Sequence, residues 1–147
     1  MATAIPTPTP KHLWVVGILS LLWNAYGAYD YTMSHIGGAA YFESMGLDAE
    51  VFAWFETLPM WSVAAWAVGV WGSVLGSVLL LLRSRHAATA FMLSAIGAVV
   101  SFCYQFLSER PASLEGGLAT IMPLVILILI VAQWYYARRQ AAAGVLR

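Results

Sequence analysis

The chain has 147 residues; 61% are hydrophobic, 10% are charged, and the mean hydropathy is +0.76. A water-facing domain carries roughly a quarter charged residues, so this composition excludes an ordinary soluble surface and fits one small membrane domain. Seven bases cancel seven acids, which leaves no bulk charge for a nucleic-acid partner, and the single cysteine, Cys103, can close no internal disulfide.

The chain opens with Ile5-Pro6-Thr7-Pro8-Thr9-Pro10. Alternating prolines remove backbone donors and favour extended structure, so residues 1–12 read as an extended or disordered cytoplasmic tail. A helix needs about 20 mostly apolar residues to cross the hydrocarbon. Four stretches qualify, over residues 13–33, 59–82, 86–107 and 118–137. Lys11 and Ala25-Tyr26-Gly27 give the first a loose likeness to a signal peptide; with Met1 present, it reads as a retained helix. No charge lies near the middle of any stretch, and Asp30 sits close to the end of the first.

Between the first and second stretches, residues 34–58 form a long loop. Asp48 has the position of an N-cap, with Leu47 placed to pack on Phe52. Val51, Phe52, Phe55 and Leu58 then share one helical face. These features predict a short amphipathic helix on the outer membrane surface. Residues 138–147 read as a basic cytoplasmic tail. The expected architecture is all-α: an integral membrane four-helix bundle over residues 13–137.

Charge position predicts its orientation. Lys11, Arg83, Arg85, Arg138, Arg139 and Arg147 fall on one side of the spans, and Arg110 is the exception. All the acids, Asp30, Glu43, Asp48, Glu50, Glu56, Glu109 and Glu115, fall toward the other. Lys and Arg collect on the cytoplasmic side, so both termini are expected there.

Helices in lipid pack closely through small residues. The first span carries Ser20, Asn24, Gly27 and Tyr31 on one stripe. The second carries Ser62, Trp66, Gly69, Ser73, Gly76 and Ser77, overlapping a Gly72-x-x-x-Gly76 pair. The third carries Ala90, Ser94, Gly97, Ser101, Tyr104, Gln105 and Ser108. The fourth has no such face and is expected to be the most lipid-exposed, with Gln133, Trp134, Tyr135 and Tyr136 as an anchor at the inner interface. Gly27, Gly69, Gly72, Gly76 and Gly97 are the expected helix-packing glycines.

The expected polar cluster comprises Asn24, Asp30, Tyr31, Ser62, Trp66, Ser101, Tyr104 and Gln105, in the outer half of the bundle. Polar side chains in a membrane serve either as a functional site or as interhelical glue worth about 0.6 kcal/mol each. The tryptophans are expected mainly as interfacial belt and packing residues, with an aromatic sugar platform as the alternative. No metal, cofactor or catalytic residue is expected, since no acid–base pair and no nucleophile with a base is spaced for chemistry.

The run Leu22-Trp23-Asn24-Ala25-Tyr26-Gly27-Ala28-Tyr29-Asp30-Tyr31 resembles short four-span proteobacterial membrane proteins that carry the label "sugar transporter". The resemblance continues through Pro59-Met60-Trp61, Ala64-Ala65-Trp66-Ala67-Val68-Gly69-Val70-Trp71-Gly72 and Leu79-Leu80-Leu81-Leu82-Arg83. It covers the first two spans well and the rest loosely. It implies a four-span inner-membrane protein and, by the label alone, sugar transport; it assigns no transport residue. The leading expectation is a non-enzymatic membrane component, either a homo-oligomer or a subunit of a larger complex, with the lipid bilayer as its surroundings. The alternative is an oligomeric transporter of a small neutral solute such as a sugar.

Overall fold

The structure, a computed structural model, describes residues 8–147. The proline-rich tail expected over residues 1–12 lies largely outside the described residues; Pro10 is extended (φ −69°, ψ 143°) and Lys11 opens the first helix. The described chain is all-helical: α1 (Lys11–Ile36), α2 (Gly38–Ser44), α3 (Ala49–Glu56), α4 (Met60–Leu81), α5 (His86–Leu107), a single 3-10 turn (Ala112–Leu114) and α6 (Gly117–Ala142).

Local chemistry sets the ends of these helices. Pro59 supplies an extended residue before α4 and its carbonyl accepts from Ser62 N at 2.9 Å, the usual role of proline at a helix start. Asp48 caps α3, its Oδ1 accepting from Val51 N at 2.9 Å. The segment between α1 and α4 also holds a second short helix, α2, which sequence reasoning missed. It begins where Gly37 and Gly38 break α1, Gly38 adopting φ +57°. After α4, Arg83 takes a left-handed conformation (φ 58°), its N–H reaches Leu80 O, and Ser84 N–H reaches Leu79 O. That double closure is a Schellman motif. Gly144 ends α6 in the same way (φ 72°), with Gly144 N bonded to Ala141 O and Val145 N to Gln140 O.

The basic segment after residue 137 is not a simple tail. α6 runs on to Ala142, and the chain then folds back so that Val145 and Leu146 are buried. They join Leu13, Leu80, Ala87, Phe91 and Ala137 in an apolar cluster at one end of the bundle. Arg85 N donates to Arg147 O at 3.0 Å, and Arg147 N to Arg83 O at 2.8 Å, pairing the C-terminus with the α4–α5 turn.

The long helices pack in the order α1, α4, α5, α6. The α4–α5 contact is the closest because small residues face one another across it. A Cβ on Gly97 would lie 2.6 Å from Ala65 O and 2.8 Å from Gly69 N. Gly69 faces Ala98, Gly72 faces Ser94, and Gly76 faces the Phe91 ring. Gly27 departs from the expected packing set: a Cβ there meets nothing within 4 Å, because this part of α1 borders open space. The serine stripes do turn inward, with Ser20, Ser62, Ser73, Ser77, Ser94 and Ser101 all buried.

The outer surface is apolar. Large side chains such as Val15, Leu19, Leu22, Leu75, Leu93, Ile96, Leu118 and Ile128 are exposed. Three helices, α4, α5 and α6, are long and apolar enough to cross a membrane. α1 has the length, 26 residues or about 39 Å at 1.5 Å per residue, but Asn24, Tyr26, Tyr29, Asp30 and Tyr31 in its second half keep it out of that group.

Because a methyl group at Gly97 would press on two backbone atoms of α4, Gly97→Ala is expected to destabilise the fold by about 1–3 kcal/mol, the usual cost of overpacking. Gly27→Ala, facing open space, is expected to change stability little. Reversible unfolding of the two variants in mixed detergent, followed by circular dichroism, checks the contrast; equal stability would rule out the tight α4–α5 contact.

Candidate functional site

A deeply buried polar node that ties three long helices lies near the middle of the bundle. Asn24, 4% exposed, points from α1 across to α4 and α6. Its Nδ2 donates to Gln133 Oε1 at 3.0 Å, to Ser77 Oγ at 2.9 Å and to Ser73 O at 3.2 Å. An amide NH2 has two protons, so one serves Gln133 and the other is shared between the two serine acceptors. Ser77 Oγ in turn donates to Ser73 O at 2.9 Å. Buried polar groups require such partners, and here the requirement joins α1, α4 and α6 at one point.

The eight residues expected to form one polar cluster separate into distinct local environments. Asn24 belongs to the node just described. Asp30 Oδ1 accepts from Tyr41 OH at 2.7 Å and so ties α1 to α2. Burial pushes the Tyr41 phenol above its ordinary pKa; the hydrogen bond to Asp30 and the Asp30 charge push the same way. Tyr31 and Trp66 lie edge to face at 4.9 Å within an aromatic group that also contains His35 and Phe55. Phe55 meets Phe42 at 5.0 Å, so this group holds α2 and α3 over the ends of α1 and α4. Gln105 Nε2 donates to Ser101 Oγ at 3.0 Å within α5. Tyr104 packs edge to face on Trp61 at 5.0 Å. Ser62 is 1% exposed, and its Oγ has no hydrogen-bond partner among the described residues.

Gln133 requires a correction. Sequence reasoning placed it with the interfacial anchor beside Trp134, whereas its side chain is buried and accepts from Asn24. The signal was present: a glutamine inside an otherwise apolar span is costly unless it finds a partner. Tyr136, from the same group, reaches across to α1, its hydroxyl 2.6 Å from His12 Nδ1.

Four of the eight expected residues, Asn24, Asp30, Trp66 and Gln105, do share one space. They border an open-sided cavity of about 750 Å³ between α1, α4, α5 and α6, within the size range of small-ligand sites. Asn24, Ser73 and Ile130 line it toward the middle of the bundle. Arg110, Leu114 and Leu118 lie at the end that faces the acidic loops. Its wall is largely apolar, with Val70, Ala98, Phe102, Met122 and Ile126 among the lining. The cavity exists because α1 and α6 make no extended contact; they touch through Asn24–Gln133 and His12–Tyr136. Such a space can hold an apolar body by shape and van der Waals contact, with a few polar groups to orient it. Among the described residues, no three His, Cys, Asp or Glu side chains converge as metal ligands do.

If the node ties α1 to α6, Asn24→Ala and Gln133→Ala should not act independently. A double-mutant cycle on unfolding in mixed detergent is expected to give a coupling of about 0.6 kcal/mol, up to about 1.7, whereas Asn24→Ala and Gln105→Ala should be additive. Additivity of the first pair would remove the node as a structural tie. Compared with known proteins, the chain matches no family model, no curated protein and no solved structure.

Proposed function

We propose that this chain is a non-enzymatic four-span membrane protein, with both termini cytoplasmic, that works as an oligomer or as a subunit of a larger complex in a bacterial inner membrane. One observation carries the topology. Arg83 Nη1 donates to Thr9 Oγ1 at 3.0 Å, and the α4–α5 turn pairs with Arg147. The start of α1, the end of α4 and the end of α6 therefore meet, and Lys11, Arg83, Arg85, Arg138, Arg139 and Arg147 gather at one end of the bundle. The acids lie at the other. A basic end is the cytoplasmic end of a membrane bundle. α1 runs between the same two ends as α4 and exposes Trp14, Val15, Ile18, Leu19 and Leu22, which supports it as the fourth span despite its polar half.

Among the described residues, the role as a component is supported by what lies outside the long helices: two short helices, a 3-10 turn and brief connections. The cavity brings together no nucleophile and base. A second reading, transport of a small neutral solute by an oligomer, draws support from Trp23, Trp54 and Trp66 on the cavity wall, since indole faces can stack on a sugar ring. The wall is otherwise mostly apolar, the Asn24 amide protons are already engaged, and Gln105 spends one of its two on Ser101 Oγ. That chemistry suits a solute with few hydroxyls and ranks this reading second.

Single cysteines placed in a Cys103→Ala background test the topology. A membrane-impermeant maleimide is expected to label Glu50→Cys in sealed right-side-out vesicles and Arg147→Cys only in inverted ones; labelling of both from the same side would overturn it. Purification from native membrane in mild detergent is expected to yield a multimer or stoichiometric partners, and a lone monomer would overturn the subunit reading. Uptake of a labelled sugar by liposomes holding only this protein, reduced by Asn24→Ala, would instead favour transport.

A further inference from the structure

The base that breaks the charge pattern sits at the cavity. Arg110 is the only Lys or Arg at the acidic end, and it lines the same space as Asn24 and Ile130. Its guanidinium lies over the Phe106 ring, 4.4 Å from the centroid, and it is half-buried. Among the described residues no acid lies within ion-pair distance of it. The other charged group on the cavity wall, Asp30, already accepts from the Tyr41 hydroxyl. A guanidinium with free donors, fixed by an aromatic ring beside an apolar space, is suited to a phosphate or carboxylate.

The space behind it is suited to a hydrocarbon chain. From Leu118 to Ile130 the α6 wall offers Ala119, Met122 and Ile126, a length of about 18 Å at 1.5 Å per residue. Gly27 leaves room on the α1 wall, where an added Cβ would meet nothing within 4 Å. α1 and α6 do not close against each other along this stretch, so a chain can enter sideways from the bilayer. Trp54 and Leu47, from the α3 region, line the same space as Arg110.

We propose that this cavity is a binding site for an anionic lipid, with one acyl chain between α1 and α6 and its phosphate against Arg110. The site rests on the membrane-spanning reading given above. The two fail separately: wrong vesicle labelling overturns the topology, whereas loss of lipid preference in a correctly labelled protein overturns the site alone.

The test titrates the purified full chain in detergent with phosphatidylglycerol or phosphatidylcholine of the same acyl length, counting bound lipid by native mass spectrometry. The wild type is expected to hold one phosphatidylglycerol per chain, several-fold more tightly than phosphatidylcholine. Arg110→Gln should remove that preference, and Arg110→Lys should keep part of it. Ala119→Trp, which fills the cavity but leaves Arg110 in place, should lower retention of both lipids while the variant still melts cooperatively. Inorganic phosphate should not displace the bound lipid, because it lacks the chain. Equal retention of the two lipids by the wild type, an unchanged preference in Arg110→Gln, full retention in a folded Ala119→Trp, or displacement by inorganic phosphate would each overturn the proposal.

Discussion

The near-contact of the α4 and α5 backbones at Gly69 and Gly97 governs where every other helix can go. Once these two helices are drawn together by small residues, their outer flanks take α1 on the α4 side and α6 on the α5 side. α1 and α6 are then held apart by the width of the central pair. Long polar side chains span the gap where it narrows, and a cavity remains where they do not. In lipid, where apolar surface is not driven inward by water, van der Waals contact and polar bonds must decide which helices touch, so a backbone-level contact of this kind has unusual weight.

The two ends of the bundle are built differently. At the basic end, Schellman motifs after α4 and α6 turn the chain so that Val145 and Leu146 seal Leu13, Leu80, Ala87 and Phe91. At the acidic end, α2 and α3 lie over an aromatic group of Tyr31, His35, Phe42, Phe55 and Trp66. The first is a packed apolar plug. The second is a cover of rings, with the cavity beneath and beside it. Any ligand exchange is thereby directed to the acidic end or to the α1–α6 gap.

The long helices were legible as apolar runs, since a stretch of that length with no central charge has few other uses. The Asp48 cap was also legible, because an acid before an apolar helical face has a local physical meaning. α2 was not: Gly38–Ser44 is too short to show a period, and it depends on the break at Gly37 and Gly38 and on the bond from Tyr41 to Asp30. The polar candidates were recognisable one by one, yet Tyr31, Ser62, Ser101 and Tyr104 do not border the cavity, while Ser73 and Arg110 do. Gln133 was misread because its neighbours Trp134 and Tyr135 resemble an interfacial belt, whereas helical rotation turns this one residue inward.

By itself the sequence determined the properties that depend on composition and near neighbours: an all-helical chain, the apolar runs, the separation of acids from bases, and the small-residue faces of α1, α4 and α5. Only the tertiary structure decided which faces meet. Asn24 finds its partners 49, 53 and 109 residues away, and no local pattern encodes such a pairing. The same holds for the cavity, which is a space between helices rather than a property of any one of them. The four long helices were readable because each signal lies within one segment; their arrangement was not, because it follows from how closely two backbones can approach.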